Sequence, residues 1–217
     1  MIRGILFDFD GTLANTIDLI IASFEHTCKT VLGRVPVREE IVNTFGLPLA
    51  DAMLALSGKP ELVEQMRDVY REYNDMYHDE MIRPIAGVEE TLVALKARNI
   101  KIAVVTSKKP RMLHRGLACL NLAKYIDTVI ALGDTKESKP HAEPMLAACK
   151  KLGLKPQECL CVGDSPFDLQ SGRNAGAKTV AVRYTAFAWK KIMEEGKPDY
   201  VIEKPEELLE LVESVKK

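Results

Sequence analysis

Gly4-Ile5-Leu6-Phe7-Asp8-Phe9-Asp10-Gly11-Thr12-Leu13 passes, near the start of the chain, from a wholly apolar run into two carboxylates and a glycine. Ile5, Leu6 and Phe7 predict a short strand buried on both faces of a parallel sheet. Carboxylates at the end of such a strand are costly unless each shifts its pKa, meets a cation or coordinates a metal. A plain Asp-Gly turn is the alternative, and the remaining sequence separates the two.

The 217 residues are 47% hydrophobic, enough to bury the core of one or two domains. Thirty basic residues against thirty-one acidic ones give a formal net charge of −1, so no global field favours nucleic acid or an anionic membrane. The expectation is no nucleic acid and no membrane partner. Cys28, Cys119, Cys149, Cys159 and Cys161 are odd in number and scattered, which fits reduced thiols. Cys159 and Cys161 are read as pointing to opposite faces of a strand, and so not as a metal pair. No segment is apolar and long enough to span a bilayer, and the N-terminus carries no signal-like region; a cytoplasmic protein is expected.

Beyond Thr12 the apolar spacing turns helical at Ile17, Ile20, Ile21, Phe24, Cys28 and Val31, with Gly33 as the stop. Shorter helices are expected at Glu39–Thr44 and Pro48–Leu56. A longer one is expected over Glu61–His78, with Leu62, Met66, Val69, Tyr73 and Met76 inward and Arg67, Arg71, Asn74 and His78 on a solvated face. From Arg83 on, strands and helices alternate. Strands are expected at Lys101–Thr106, Thr128–Leu132, Leu160–Gly163, Thr179–Val182 and Tyr200–Ile202. Helices are expected at Val88–Arg98, Pro110–Leu122, Glu143–Leu152, Asp168–Ala175, Ala186–Glu195 and Pro205–Val215. Such alternation predicts an α/β fold with an open, Rossmann-like parallel sheet, its ligands at the carboxyl ends of the strands. Residues 1–14 and 83–217 form this core, and residues 15–82 form a small all-helical domain inserted after the first strand.

Three strand ends carry polar residues: Asp8 and Asp10, then Thr106 and Ser107, then Gly163-Asp164-Ser165-Pro166-Phe167-Asp168, with Ser138-Lys139-Pro140 in a preceding loop. One sheet presents these ends to a common crevice. Like carboxylates ~4 Å apart at an effective dielectric near 20 repel by about 4 kcal/mol per pair, which calls for a divalent cation beside Lys139. Oxygen-only ligands point to Mg²⁺.

These residues resemble the haloacid dehalogenase superfamily of phosphohydrolases: Asp-x-Asp-Gly-Thr at Asp8–Thr12, a strand-ending Thr106, Lys139-Pro140, and Gly-Asp-Ser-x-x-Asp at Gly163–Asp168. The helical insertion resembles that family's movable cap. The resemblance implies that Asp8 is a nucleophile forming an aspartyl-phosphate and Asp10 the general acid and base. Thr106 and Ser107 would donate to phosphoryl oxygens, and Lys139 would offset charge. Mg²⁺ would be held by the Asp8 side chain, the Asp10 carbonyl and Asp164, with Asp168 orienting a metal-bound water or Lys139. The acid at Asp10 sets the chain apart from true dehalogenases, which lack one there.

The cap helices, with Ser23-Phe24-Glu25-His26-Thr27 and Tyr70-Arg71-Glu72-Tyr73-Asn74, resemble those of the family's bacterial pyrophosphatases; phosphoglycolate phosphatases share the architecture. The expected substrate is inorganic pyrophosphate or a small phosphate monoester, 2-phosphoglycolate foremost among the latter, with Arg71 and His78 as candidate substrate contacts. A sugar phosphomutase and a non-catalytic phosphate-binding module are weaker alternatives, and a monomer or small homo-oligomer is expected.

Overall fold

The computed structural model describes residues 1–214. Among them the strands are β1 (Gly4–Phe7), β2 (Ala14–Asn15), β3 (Arg83–Pro84), β4 (Lys101–Val105), β5 (Thr128–Ile130), β6 (Cys159–Gly163), β7 (Lys178–Val182) and β8 (Tyr200–Ile202). The helices are α1 (Ile17–Leu32), α2 (Arg38–Val42), α3 (Leu49–Ser57), α4 (Val63–Met81), α5 (Val88–Ala97), α6 (Pro110–Cys119), α7 (Glu143–Leu152), α8 (Pro166–Ala175), α9 (Trp189–Lys191) and α10 (Leu208–Ser214). Six strands form one parallel sheet in the order β5-β4-β1-β6-β7-β8, and β2 pairs with β3 in a second, two-stranded sheet. The expected α/β class with an open parallel sheet is therefore present.

Every residue of β1 is buried, because β4 and β6 flank it and helices cover both faces of the sheet. Ile5 and Phe7 point into a core with Leu92 and Leu95 of α5, Leu113 and Leu117 of α6 and Leu208 of α10. Leu6 points the other way, toward Met145, Ala148 and Leu152 of α7 and Ala175 of α8. Cys159 and Cys161 share this second face, so the opposite-face expectation is corrected: residues two apart on a strand lie on one side. Chain order reverses across β1, which places a ligand crevice at the carboxyl ends of β4, β1 and β6.

Several element ends differ from the sequence expectation. The strand at Thr128 stops at Ile130, because Asp134 Oδ2 takes the Ala131 N–H at 2.9 Å and turns the chain. The helix from Pro110 ends at Cys119, near Asn121 with φ 57°. The Thr185 hydroxyl accepts the Phe187 N–H at 3.0 Å, and the helix expected from Ala186 begins only at Trp189 before passing into a π-helical turn, Ile192–Gly196. The last expected helix begins as a 3₁₀ turn, Pro205–Glu207, and its expected end, Val215, lies outside the described residues.

The chain separates into two compact units, Met1–Asn15 with the part from Pro84 onward, and Thr16–Arg83. In the second unit Ile21, Phe24 and Cys28 of α1 pack with Ile41, Met53 and Met66. The expected face of α4 is corrected. Met76 is 64% exposed, whereas Met66, Asn74 and His78 are buried at spacings of eight and four residues. A buried Asn74 is tolerated because its Nδ2 donates to Ser23 Oγ on α1 at 3.1 Å. His26 of α1 stacks on Tyr73 with ring centroids 4.5 Å apart. Arg71 stays partly exposed, 3.6 Å from Asp68. His78 Nδ1 lies 2.7 Å from Asp79 Oδ1.

Candidate active site

At the carboxyl end of β1 the backbone N–H of Asp8 still donates to Val162 O of β6 at 2.9 Å, which fixes its buried side chain beside the end of that strand. Gly11 follows with φ 83°, and a Cβ there would strike the Asp164 carboxylate, so only glycine lets the β1 loop approach Asp164. At the end of β6, Ser165 caps α8 through reciprocal bonds. Asp168 N donates to Ser165 Oγ at 3.3 Å, while Ser165 N and Oγ donate to Asp168 Oδ2 at 3.1 and 2.6 Å.

Lys139, from the loop before α7, enters between these strand ends with its side chain only 6% exposed. Its ammonium donates to Asp8 Oδ1 at 2.7 Å, to Asp168 Oδ1 at 2.5 Å and to Val105 O at 3.1 Å, so all three N–H groups are used. The two carboxylates hold Lys139 protonated, raising its pKa against the effect of burial. Burial pushes the Asp8 carboxyl up to about 7; Lys139 opposes this, and Asp168 and Asp10 add to it. Burial likewise drives Asp164 well above the ordinary range, reinforced by Asp168 and Asp8.

Asp8, Asp164 and Asp168 bring ligand oxygens within 4.8 Å of one another, among the described residues the group able to hold a metal ion. Three buried carboxyl groups around one ammonium, two of them made reluctant to ionise by burial, form an all-oxygen donor set that fits a hard divalent cation. Asp168 already gives Oδ1 to Lys139 and Oδ2 to Ser165, so its direct part is to orient Lys139.

Thr106 is buried at the end of β4, where its Oγ1 accepts the Lys108 N–H at 3.1 Å; Ser107 beside it is exposed. Thr106, Ser107, Thr135, Ser138 and Lys139 line one cleft. Asp10 stands outside the carboxylate group, its Oδ1 receiving Lys108 Nζ at 2.8 Å. Arg71 and His78 lie on α4 in the second unit.

Lys108 was not among the residues the sequence singled out, nor was Thr185, whose hydroxyl lies 2.7 Å from Asp164 O. The signal for Lys108 was present, since a cation two residues past a strand end belongs near a strand-end acid. Its side chain is 12% exposed and its Nζ lies 5.7 Å from the centre of the Phe9 ring. Lys108→Met keeps the stem and removes the charge that orients Asp10. With Asp10 in the acid and base role that the family resemblance implies, and proton transfer by a placed group contributing ~10²–10⁴-fold, kcat is expected to fall by about tenfold or more with a smaller change in KM. Steady-state kinetics with an unchanged kcat would make the pair a surface contact.

A family model described as haloacid dehalogenase-like hydrolase matches residues 5–182. The chain is 46% identical to the PpaX protein of Clostridium perfringens over 99% of each chain. It is 38% identical to the pyrophosphatase PpaX of Halalkalibacterium halodurans over 97% of each. A crystal structure of a predicted phosphoglycolate phosphatase from Haemophilus somnus superposes with a TM-score of 0.81 at 27% identity, over 97% of each chain. Among the described residues no helix is long and apolar enough to cross a membrane.

Proposed function

We propose that this chain, which belongs to the haloacid dehalogenase-like hydrolase family, hydrolyses inorganic pyrophosphate through an aspartyl-phosphate at Asp8. The observation that carries the chemistry is the buried Lys139 ammonium clamped between Asp8 and Asp168, which turns one oxygen of Asp8 away from bulk water and fixes its direction. The substrate is carried by end-to-end similarity to a pyrophosphatase.

In the first half-reaction a carboxylate oxygen of Asp8 attacks one phosphorus. The bridging P–O bond breaks, and the departing phosphate takes a proton from Asp10. In the second, Asp10 takes a proton from water, whose oxygen attacks the phosphorus on Asp8 and releases phosphate and the free carboxylate. Thr106 and Ser107 donate to phosphoryl oxygens, and Lys139 offsets the charge shared by nucleophile and phosphate. Asp8 and Asp164, with the Asp10 carbonyl, would hold Mg²⁺. When bound, the ion supplies positive charge against the phosphoryl oxygens as bonds to phosphorus change.

A 2-phosphoglycolate phosphatase is the second reading, favoured by the Haemophilus somnus structure. The test is kcat/KM for pyrophosphate, 2-phosphoglycolate, sugar phosphates, nucleotides and an aryl phosphate in Mg²⁺. Pyrophosphate is expected to lead by about tenfold, and excess chelator to abolish turnover of all. A lead for 2-phosphoglycolate would replace the substrate and leave the chemistry standing. Arg71 is a proposed substrate contact, its guanidinium fork matching phosphate oxygens, whereas His78, buried on α4, would have to be uncovered to serve as one. In the same panel Arg71→Ala is expected to depress pyrophosphate turnover more than that of the aryl phosphate; equal losses would return Arg71 to its pairing with Asp68. The proposed compartment is the cytoplasm, supported by five cysteines that are all free thiols.

A further inference from the structure

We infer that Thr185, in the segment following β7, is a positioning residue that sets the Asp164 carboxylate for metal binding. The inference rests on the reading of Asp164 as a residue that holds Mg²⁺. Thr185 Oγ1 lies 2.7 Å from Asp164 O and 3.3 Å from Asp164 Oδ2, and its single proton serves both acceptors. The direction of that proton is fixed from behind, because the Phe187 N–H donates to the same oxygen at 3.0 Å. Thr185 is thus a donor toward Asp164 and an acceptor toward its own chain.

The segment is tied down on either side of Thr185. Tyr184 Oη donates to Thr12 O in the loop after Asp10 at 3.4 Å. Arg183 N donates to Ile202 O of β8 at 2.9 Å, and its guanidinium sits 4.0 Å from the centre of the Trp189 ring. Adjacent residues therefore reach the two strand ends that carry the site, Tyr184 the β1 loop and Thr185 the end of β6. Gly11 closes the third side, where a side chain would strike Asp164. Asp164 is then presented in one orientation before any ion arrives. Partners behind a metal-holding carboxylate typically contribute ~10- to 100-fold in metal affinity.

Thr185→Val keeps the branched shape and loses the hydroxyl, whereas Thr185→Ser keeps the hydroxyl and loses a methyl group. Mg²⁺ alone is titrated into the full chain by isothermal calorimetry for the parent and both variants, with kcat at saturating Mg²⁺ measured alongside. The valine variant is expected to bind Mg²⁺ about tenfold more weakly and the serine variant within about threefold of the parent. Saturating kcat is expected to stay within about threefold for both. Parent-like affinity in Thr185→Val would overturn the inference, and so would serine as weak as valine, since packing rather than the donor would then matter. A parent that binds no Mg²⁺ would overturn the metal-dependent reading of the site, and this inference with it.

Discussion

Asp8→Asn protein is expected to fold, to lose on the order of 10⁴-fold or more of turnover, and to be at least as stable as the parent at neutral pH. The two effects have one cause. Asp8 is buried beside Asp164 and Asp168, with a single ammonium among the three. The amide removes the nucleophile and, in the same step, one of three mutually repelling charges. Lys139 retains Asp168 and Val105 O, so no cation is stranded. Stability should also lose part of its pH dependence. The Asp8 carboxyl holds its proton up to about 7 in the folded chain but, once unfolded, only to the ordinary carboxylate value. Between those values the folded state binds more protons, so stability of the chelated parent falls as pH rises through that window. Denaturant midpoints across the window should therefore decline less steeply in Asp8→Asn than in the parent. Equal slopes would mean that Asp8 titrates normally.

Lys139→Met is expected to act with the opposite sign on stability. It removes the one ammonium that three buried carboxylates share and leaves Asp8 and Asp168 without their charge partner. Breaking a buried pair from one side typically costs about 3–5 kcal/mol, and a loss of that order is expected in chelator. Turnover should fall by roughly 10³-fold, since Lys139 both orients Asp8 and offsets the charge that arrives with phosphate. Mg²⁺ should restore part of the lost stability, because a divalent ion meets the same carboxylates. Adding Asp8→Asn to Lys139→Met should restore part as well, the two sites being in contact and hence non-additive. A Lys139→Met protein as stable as the parent in chelator would show that the carboxylates are relieved by protonation alone.

How far the sequence was legible depended on how local each determinant was. Ile5, Leu6 and Phe7 announced a buried strand because both neighbouring positions of a central strand must be apolar, and Asp8, Asp164 and Asp168 announced their meeting because strand ends of one sheet share an edge. The inward face of α4 was misread because Asn74 and His78 look solvated in a sequence. Asn74 lies inward because of Ser23, fifty-one positions away. Lys108 and Thr185 were missed for a similar reason: each acts through a partner distant in sequence, Asp10 and Asp164, and neither stands in a motif. Helix ends set by a side-chain bond to a nearby N–H, as at Phe187, were hidden from apolar periodicity altogether.

The most direct test of the account is to catch the covalent intermediate. Enzyme turning over pyrophosphate in Mg²⁺ is quenched in acid, treated with borohydride, which reduces an acyl phosphate to an alcohol, and digested for peptide mass spectrometry. Homoserine at position 8, absent without substrate and absent in Asp8→Asn protein, is the result expected. Sustained hydrolysis with Asp8 recovered unmodified, or with the reduction falling on Asp10 instead, would contradict it.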